Sequence, residues 1–236
     1  MFMKYVWFAS LALALIACQG NTQEKVQLKT QKDSVSYSIG LDMGKNLKTQ
    51  SIDVDPTILA HGIKDVLENG KPLMTEEQVQ ACMTTFQTQM MKTKGEKAMK
   101  EGAAFLAANK TKDGVVTLPD GLQYKILTAG TGKKPKETET VSVNYRGTLV
   151  DGTEFDSSYK RGQPATFPVG GVIKGWTEAL QLMPVGSKWQ LVVPSNLAYG
   201  EAGQPRGGIE PNATLIFEVE LLSIQDKSDK SKEEKK

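Results

Sequence analysis

The sequence contains one histidine, His61, and two cysteines, Cys18 and Cys82, in 236 residues. A single imidazole excludes any metal site or proton relay that needs two, and a Ser-His or Cys-His hydrolase would have to rest on His61 alone. Two cysteines build neither a disulfide framework nor a Cys-rich zinc site. Charge of one sign is not in excess: Lys+Arg is 29 against Asp+Glu 27, a net charge of +2. That balance excludes a nucleic-acid binder that depends on bulk positive charge. No metal, cofactor or nucleic-acid partner is expected. The apolar run from Val6 to Ile16 falls short of the roughly 20 residues that cross a bilayer. Hydrophobic residues at 39% and charged residues at 24% are ordinary for a globular protein, so the informative signal is order rather than composition.

Residues 1–17 read as a signal peptide, with Lys4 supplying the positive n-region ahead of the apolar run. The run ends Leu15-Ile16-Ala17-Cys18. A small residue before a cysteine at the expected cleavage point resembles a bacterial lipobox, which implies lipid attachment at Cys18 and a membrane anchor made stable by multiple acyl chains. Gln19 after the cysteine resembles outer-membrane sorting in Gram-negative bacteria, with the body in the periplasm or at the cell surface. Residues 18–32 are polar and read as a flexible tether. Residues 226–236 are a mixed-charge run with no apolar residue and read as a disordered tail.

Residues 33–112 carry helical periodicity. Ile39, Met43 and Leu47 share one helix face. Asp55-Pro56 is a helix start, and Asn69-Gly70 stops the stripe of Leu59, Ile63 and Val66 or Leu67. Thr75 and Gln78 make a capping box ahead of a long helix whose apolar stripe runs through Val79, Cys82 or Met83, Phe86 and Met90 and thins beyond Met91. A long helix with a stripe only in its first half predicts packing against another body, and a second copy of the chain is the simplest one. Cys82 lies on that stripe and reads as a small buried side chain, with an intersubunit disulfide left open. His61 reads as a surface or packing histidine.

Residues 113–225 change to alternation. Leu122, Tyr124 and Ile126 alternate, as do Val141, Val143 and Tyr145; further runs are Trp189, Leu191 and Val193, and Leu215, Phe217, Val219 and Leu221. Asp120-Gly121, Gly130-Thr131-Gly132, Asp151-Gly152 and Pro184-Val185-Gly186 separate them. Strands with one apolar face predict an antiparallel sheet covered on one side. Val172 to Met183 is read as one short helix, stopped by Pro184, with Trp176, Ala179 or Leu180, and Met183 on its apolar face. The expected fold is therefore α+β: a curved antiparallel sheet wrapped on a short helix, preceded by an all-α dimerisation domain with a long connecting helix.

Five ordered segments resemble the FKBP-type peptidyl-prolyl cis-trans isomerases: Tyr145-Arg146-Gly147-Thr148-Leu149, Asp151 to Ser158, Val172-Ile173-Lys174-Gly175-Trp176, Leu197-Ala198-Tyr199-Gly200, and Ala213 to Val219. Tyr37-Ser38-Ile39-Gly40, Gly44-Lys45-Asn46 and Leu118 to Tyr124 resemble the macrophage infectivity potentiator (Mip) subgroup. The resemblance implies a pocket with Trp176 as floor, Tyr145, Phe155, Val172, Ile173, Tyr199 and Phe217 as walls, and Ile209 near the rim. It implies Asp156 as the acidic member, paired with Arg161. Lowering the barrier of a twisting amide then makes the Ile173 backbone N–H the candidate for holding the substrate chain, with the catalytic Tyr199 and Asp156 near the rotating carbonyl and Asp156 acting electrostatically. The Tyr199 hydroxyl is expected to face the pocket. Two departures stand out. Ala165 occupies a position where many relatives carry an aromatic, which bears on macrolide inhibitors, and Gln204 with Gly207-Gly208 alters the loop after Tyr199. The implied activity is prolyl isomerisation on unfolded or exported proline-containing polypeptides, with chaperone activity from a dimer cleft. A non-catalytic proline-binding module, and a chaperone with a vestigial site, remain the alternatives.

Overall fold

The computed structural model describes residues 26–225. The segment read as a signal peptide, Cys18 and the charged run 226–236 lie outside the described residues. The chain divides into two compact units, Met1–Leu73 and Met74–Lys236.

In the first unit, α1 (Gln31–Thr49) starts at a capping box in which Thr30 and Asp33 satisfy each other's backbone N–H groups. Helix α2 (Pro56–Leu67) starts where expected, with the Asp55 side chain accepting from the N–H groups of Thr57 and Ile58. Neither helix buries a residue among the described ones, and Val35, Tyr37, Ile39, Ile58, Val66 and Leu67 are exposed. His61 is a surface residue 3.7 Å from Asp65.

The second unit opens with α3 (Glu76–Asn109), 34 residues long and capped by the Thr75–Gln78 box. Its first half leaves Val79, Met83, Phe86 and Met91 exposed, and Cys82, expected to be buried, is an exposed free thiol in the single chain. Its second half buries Gly95, Ala98, Gly102 and Asn109. The junction with the sheet is polar and satisfied: Asn109 Nδ2 donates to Gln123 Oε1 at 3.0 Å, and Gln123 Nε2 donates to the Leu106 carbonyl at 3.0 Å.

The sheet has seven antiparallel strands: β1 (Val115–Thr117), β2 (Gln123–Thr128), β3 (Thr140–Leu149), β4 (Glu154–Ser157), β5 (Ala165–Pro168), β6 (Lys188–Val193) and β7 (Leu215–Gln225). Their order is β1-β2-β6-β7-β3-β4, with β5 also paired to β3. The strongest alternators, β3 and β7, lie centrally and pair over their whole length. Their inward residues Val141, Val143, Leu215, Val219 and Leu221 are fully buried. The short strands β1, β4 and β5 lack an alternating signature of their own and join the sheet through pairing to β2 or β3.

Helix α4 (Lys174–Leu182) covers one face of the sheet with Trp176, Ala179 and Leu180, and Met183 follows them into the core. It is shorter than the expected 172–183. Ile173 is its N-cap, in extended conformation with φ −60° and ψ 149°, so Val172 and Ile173 enter the helix rather than belong to it. Burying side chains of this size contributes about 1.5–3 kcal/mol each, so α4 and the sheet hold each other.

Candidate functional site

Tyr145 on β3, Phe155 and Asp156 on β4, Phe167 on β5, Trp176 on α4 and Phe217 on β7 converge at one end of the sheet. With Gly171, Val172, Ile173 and Tyr199 they line a cavity of about 420 Å³. The register explains the convergence, because Gly147 on β3 pairs with Phe217 on one side and with Asp156 on the other. Glycine is required there: a Cβ would lie 2.6 Å from Phe155 Cζ and 2.9 Å from Phe217 Cε1. The bare backbone of β3 is what lets both rings close over it.

The rings form an edge-to-face box. The Trp176 ring meets Tyr145 at 5.2 Å and 89°, Phe217 at 5.2 Å and 81°, and Phe167 at 5.9 Å and 88°. Phe155 meets Phe217 at 5.6 Å and 89°. Such pairs add about 0.5–1.5 kcal/mol each beyond their buried area, so the box is rigid before any ligand enters. Trp176 is 4% exposed, and its indole N–H is buried without a partner among the described residues.

One wall is polar. The Tyr145 hydroxyl donates to Asp156 Oδ2, Arg161 Nη1 donates to Asp156 Oδ1, and Arg161 Nη2 donates to the Tyr145 hydroxyl oxygen at 2.8 Å. The Ser157 N–H adds a fourth bond, to Asp156 Oδ1 at 2.8 Å. Burial pushes the Asp156 carboxyl up, but the bonds from Tyr145 and Arg161 outweigh it, and the net position is below the usual carboxylate range. Burial and then the Asp156 bond push the Tyr145 phenol up. Asp156 therefore stands as an oriented anion, not a proton donor, at neutral pH.

The expected residues fall into three groups. Tyr145, Phe155, Asp156, Val172, Ile173, Trp176, Tyr199 and Phe217 are brought together. Arg161 stands behind the wall and reaches the cavity only through Asp156 and Tyr145. Ile209, expected near the rim, is 3% exposed and is not a lining residue. Its N–H and carbonyl are both bonded to Gln204, at 3.0 and 2.8 Å, which turns it into the core. Tyr199 lines the cavity but is 38% exposed, and its hydroxyl has no hydrogen bond among the described residues. The phenol that burial forces to find a polar partner is Tyr145. Phe167 and Gly171 were not expected. Phe167 shares an inward strand face with Ala165, two residues away, so the aromatic missing at Ala165 has a neighbour on the same face. The Ile173 N–H has no partner among the described residues, while the Ile173 carbonyl accepts from the Trp176 and Thr177 N–H groups.

A curved antiparallel sheet closed by one helix, with an indole-floored aromatic cavity and one oriented carboxylate, defines an isomerase class that needs no nucleophile. The chain belongs to the FKBP-type peptidyl-prolyl cis-trans isomerases: that family's sequence pattern matches residues 131–222, and the pattern described as the domain amino terminal to FKBP-type peptidyl-prolyl isomerase matches residues 32–126. It is 49% identical to the outer membrane protein MIP of Legionella longbeachae over 233 residues, which covers 94% of this chain and 98% of that protein. It is 46% identical to the peptidyl-prolyl cis-trans isomerase Mip of Coxiella burnetii, covering 85% of this chain and 90% of that one. Among solved structures, FkpA from Escherichia coli superposes with a TM-score of 0.64 at 35% identity, covering 84% of this chain and 99% of that one.

Proposed function

We propose that the aromatic box lowers the prolyl rotation barrier by binding the twisted X-Pro amide better than either planar form. The observation that carries this reading is the preformed cavity of Trp176, Tyr145, Phe155, Phe167 and Phe217 with Asp156 on its wall. Amide resonance sets a peptide rotation barrier of about 18–20 kcal/mol, and no bond has to break to lower it. Only interactions stronger in the twisted state accelerate the step. The prolyl ring sits on the Trp176 indole. The free Ile173 N–H holds the substrate chain by donating a hydrogen bond to one of its carbonyls. As the amide twists it loses conjugation and becomes less polar, which the apolar rings tolerate better than water does. The Asp156 carboxylate, fixed by Tyr145 and Arg161, and Tyr199 at the rim complement the rotating carbonyl dipole. The role of Asp156 is electrostatic, since its carboxyl is held in the ionised form. A macrolide presenting a prolyl-like ring competes for the same floor.

The same reading extends to assembly and place. Helices α1 and α2 bury nothing by themselves, and the first half of α3 is apolar and exposed. A homodimer through these helices covers those faces and holds two isomerase domains around a cleft that receives unfolded, proline-containing clients. With a lipid at Cys18, the chain works in the cell envelope on exported polypeptides, attached to the outer membrane; the Legionella relative is named an outer membrane protein. The test compares the full mature chain with residues 74–236. The shorter chain, which keeps only the α3 part of the interface, is expected to keep peptide isomerisation, to dimerise more weakly and to protect an unfolded client from aggregation less well. Equal client protection by both would remove the cleft from the account.

A further inference from the structure

The second half of α3 packs on the segment that leads into β7. Gly95, Ala98 and Gly102 are its buried face. A Cβ on Gly95 would lie 3.0 Å from Pro211 Cβ and 3.3 Å from Asn212 Nδ2, and a Cβ on Gly102 would lie 2.3 Å from Thr214 Oγ1. Beside them, Lys94 Nζ stands 3.5 Å from Glu210 Oε1. The contact is therefore backbone-close and specific for small residues, and it fixes where residues 210–214 lie.

That segment is tied to the pocket. Asn212 sits in the left-handed region with φ 59°, which turns its N–H toward the Gly200 carbonyl, at 2.8 Å. Gly200 follows Tyr199, a lining residue of the cavity. Between the two anchor points the loop is closed on itself by the paired bonds of Gln204 and Ile209. The loop thus hangs from Gly200 and Asn212, and Asn212 is seated by α3.

We propose that α3 is a positioning element of the isomerase: Gly95, Ala98 and Gly102 seat residues 210–214, and the Asn212–Gly200 bond transmits that seat to Tyr199 at the rim. These three residues touch no substrate and act through the loop. The proposal rests on the reading of the cavity as the prolyl site. It makes the long helix part of the enzyme as well as a spacer, so that whatever displaces the helix retunes substrate binding.

The test uses the full mature chain and its Gly95→Leu variant. Kinetics of a short X-Pro peptide are read together with the hydrogen-exchange rate of the Asn212 amide. A misplacement near 1 Å can cost on the order of 100-fold in rate. With the rim displaced rather than the floor, kcat/KM is expected to fall about tenfold, mainly through KM, and Asn212 is expected to exchange faster. Gly95→Ala, which adds one methyl group and favours the helix, gives the same direction with smaller size should the larger variant fail to fold. Wild-type kcat and KM in folded variants overturn the proposal. An inactive wild-type chain would contradict the isomerase reading instead, and the Asn212 exchange rate still decides the helix–loop link: if it is unchanged by Gly95→Leu, the link fails.

Discussion

Replacing Gly147 by alanine puts one methyl group against two rings of the site. The added carbon would lie 2.6 and 2.8 Å from the Phe155 ring and 2.9 Å from the Phe217 ring. Ordinary carbon contacts are about 3.5–4.0 Å, so both rings must retreat by about 1 Å or β3 must bow outward. Neither ring is free to move. Phe155 is held edge-on by Phe217, and Phe217 by Trp176. Overpacking of this kind costs about 1–3 kcal/mol. Taking about 2 kcal/mol, and about 2–4 °C per kcal/mol for a chain of this size, Tm falls by about 4–8 °C. Because the displaced rings line the cavity proposed for the prolyl ring, kcat/KM for an X-Pro peptide is expected to fall by at least about tenfold. Scanning calorimetry gives the first number and peptide relaxation kinetics the second. A Tm within about 1 °C of wild type, less than the shift from even ~0.5 kcal/mol, together with unchanged kinetics would refute the argument that β3 must be bare at this position.

Two further predictions concern charge. In Arg161→Met the Asp156 carboxyl loses a hydrogen bond and a neighbouring cation, so its pKa rises; if the carboxylate is the active form, the acid limb of the pH–rate profile moves to higher pH, and an unmoved limb would remove Asp156 ionisation from the reaction. Glu178 on α4 is pushed up to about 7 by burial and then by Asp120. The folded state therefore binds more protons than the unfolded state between an ordinary carboxylate pKa and about 7, and this group's contribution to stability falls as pH rises through that window. Glu178→Gln is expected to stabilise the fold at pH 8 by on the order of 1 kcal/mol after discounting for solvent, a rise in Tm of about 2–4 °C, and to leave Tm unchanged at pH 4; an equal gain at both pH values would contradict the pairing.

The central strands and the floor of the site were legible because their signals are local. Tyr145, Val143 and Val141 alternate, as do Phe217, Val219 and Leu221, and each set lies on the inward face of a long central strand. The apolar positions of α4 are set by Pro184 after it and by the helical period of Trp176, Leu180 and Met183. What sequence did not show depends on tertiary closure. Phe167 lies in a four-residue strand that follows Pro164 and ends at Pro168, too short to display a period, although its spacing of two from Ala165 was a usable sign that both share a face. Ile209 turns inward because of a pair of backbone bonds to Gln204, which no side-chain pattern encodes. The second half of α3 read as a fading apolar stripe, but Gly95, Ala98 and Gly102 mark a face of close approach. Small residues at helical spacing carry that information as surely as large ones do. Cys82 read as buried because it lies on the apolar stripe of α3, and in a single chain that stripe faces outward.

If one aromatic box catalyses prolyl rotation without a nucleophile, removing its indole floor removes the acceleration. The most direct measurement is the cis/trans relaxation of a short X-Pro peptide, with the mature chain and with its Trp176→Leu variant, checked for folding by circular dichroism. The wild-type chain is expected to accelerate relaxation, and Trp176→Leu, though folded, to lose most of the acceleration. A folded Trp176→Leu chain that accelerates the peptide as well as wild type does would contradict it.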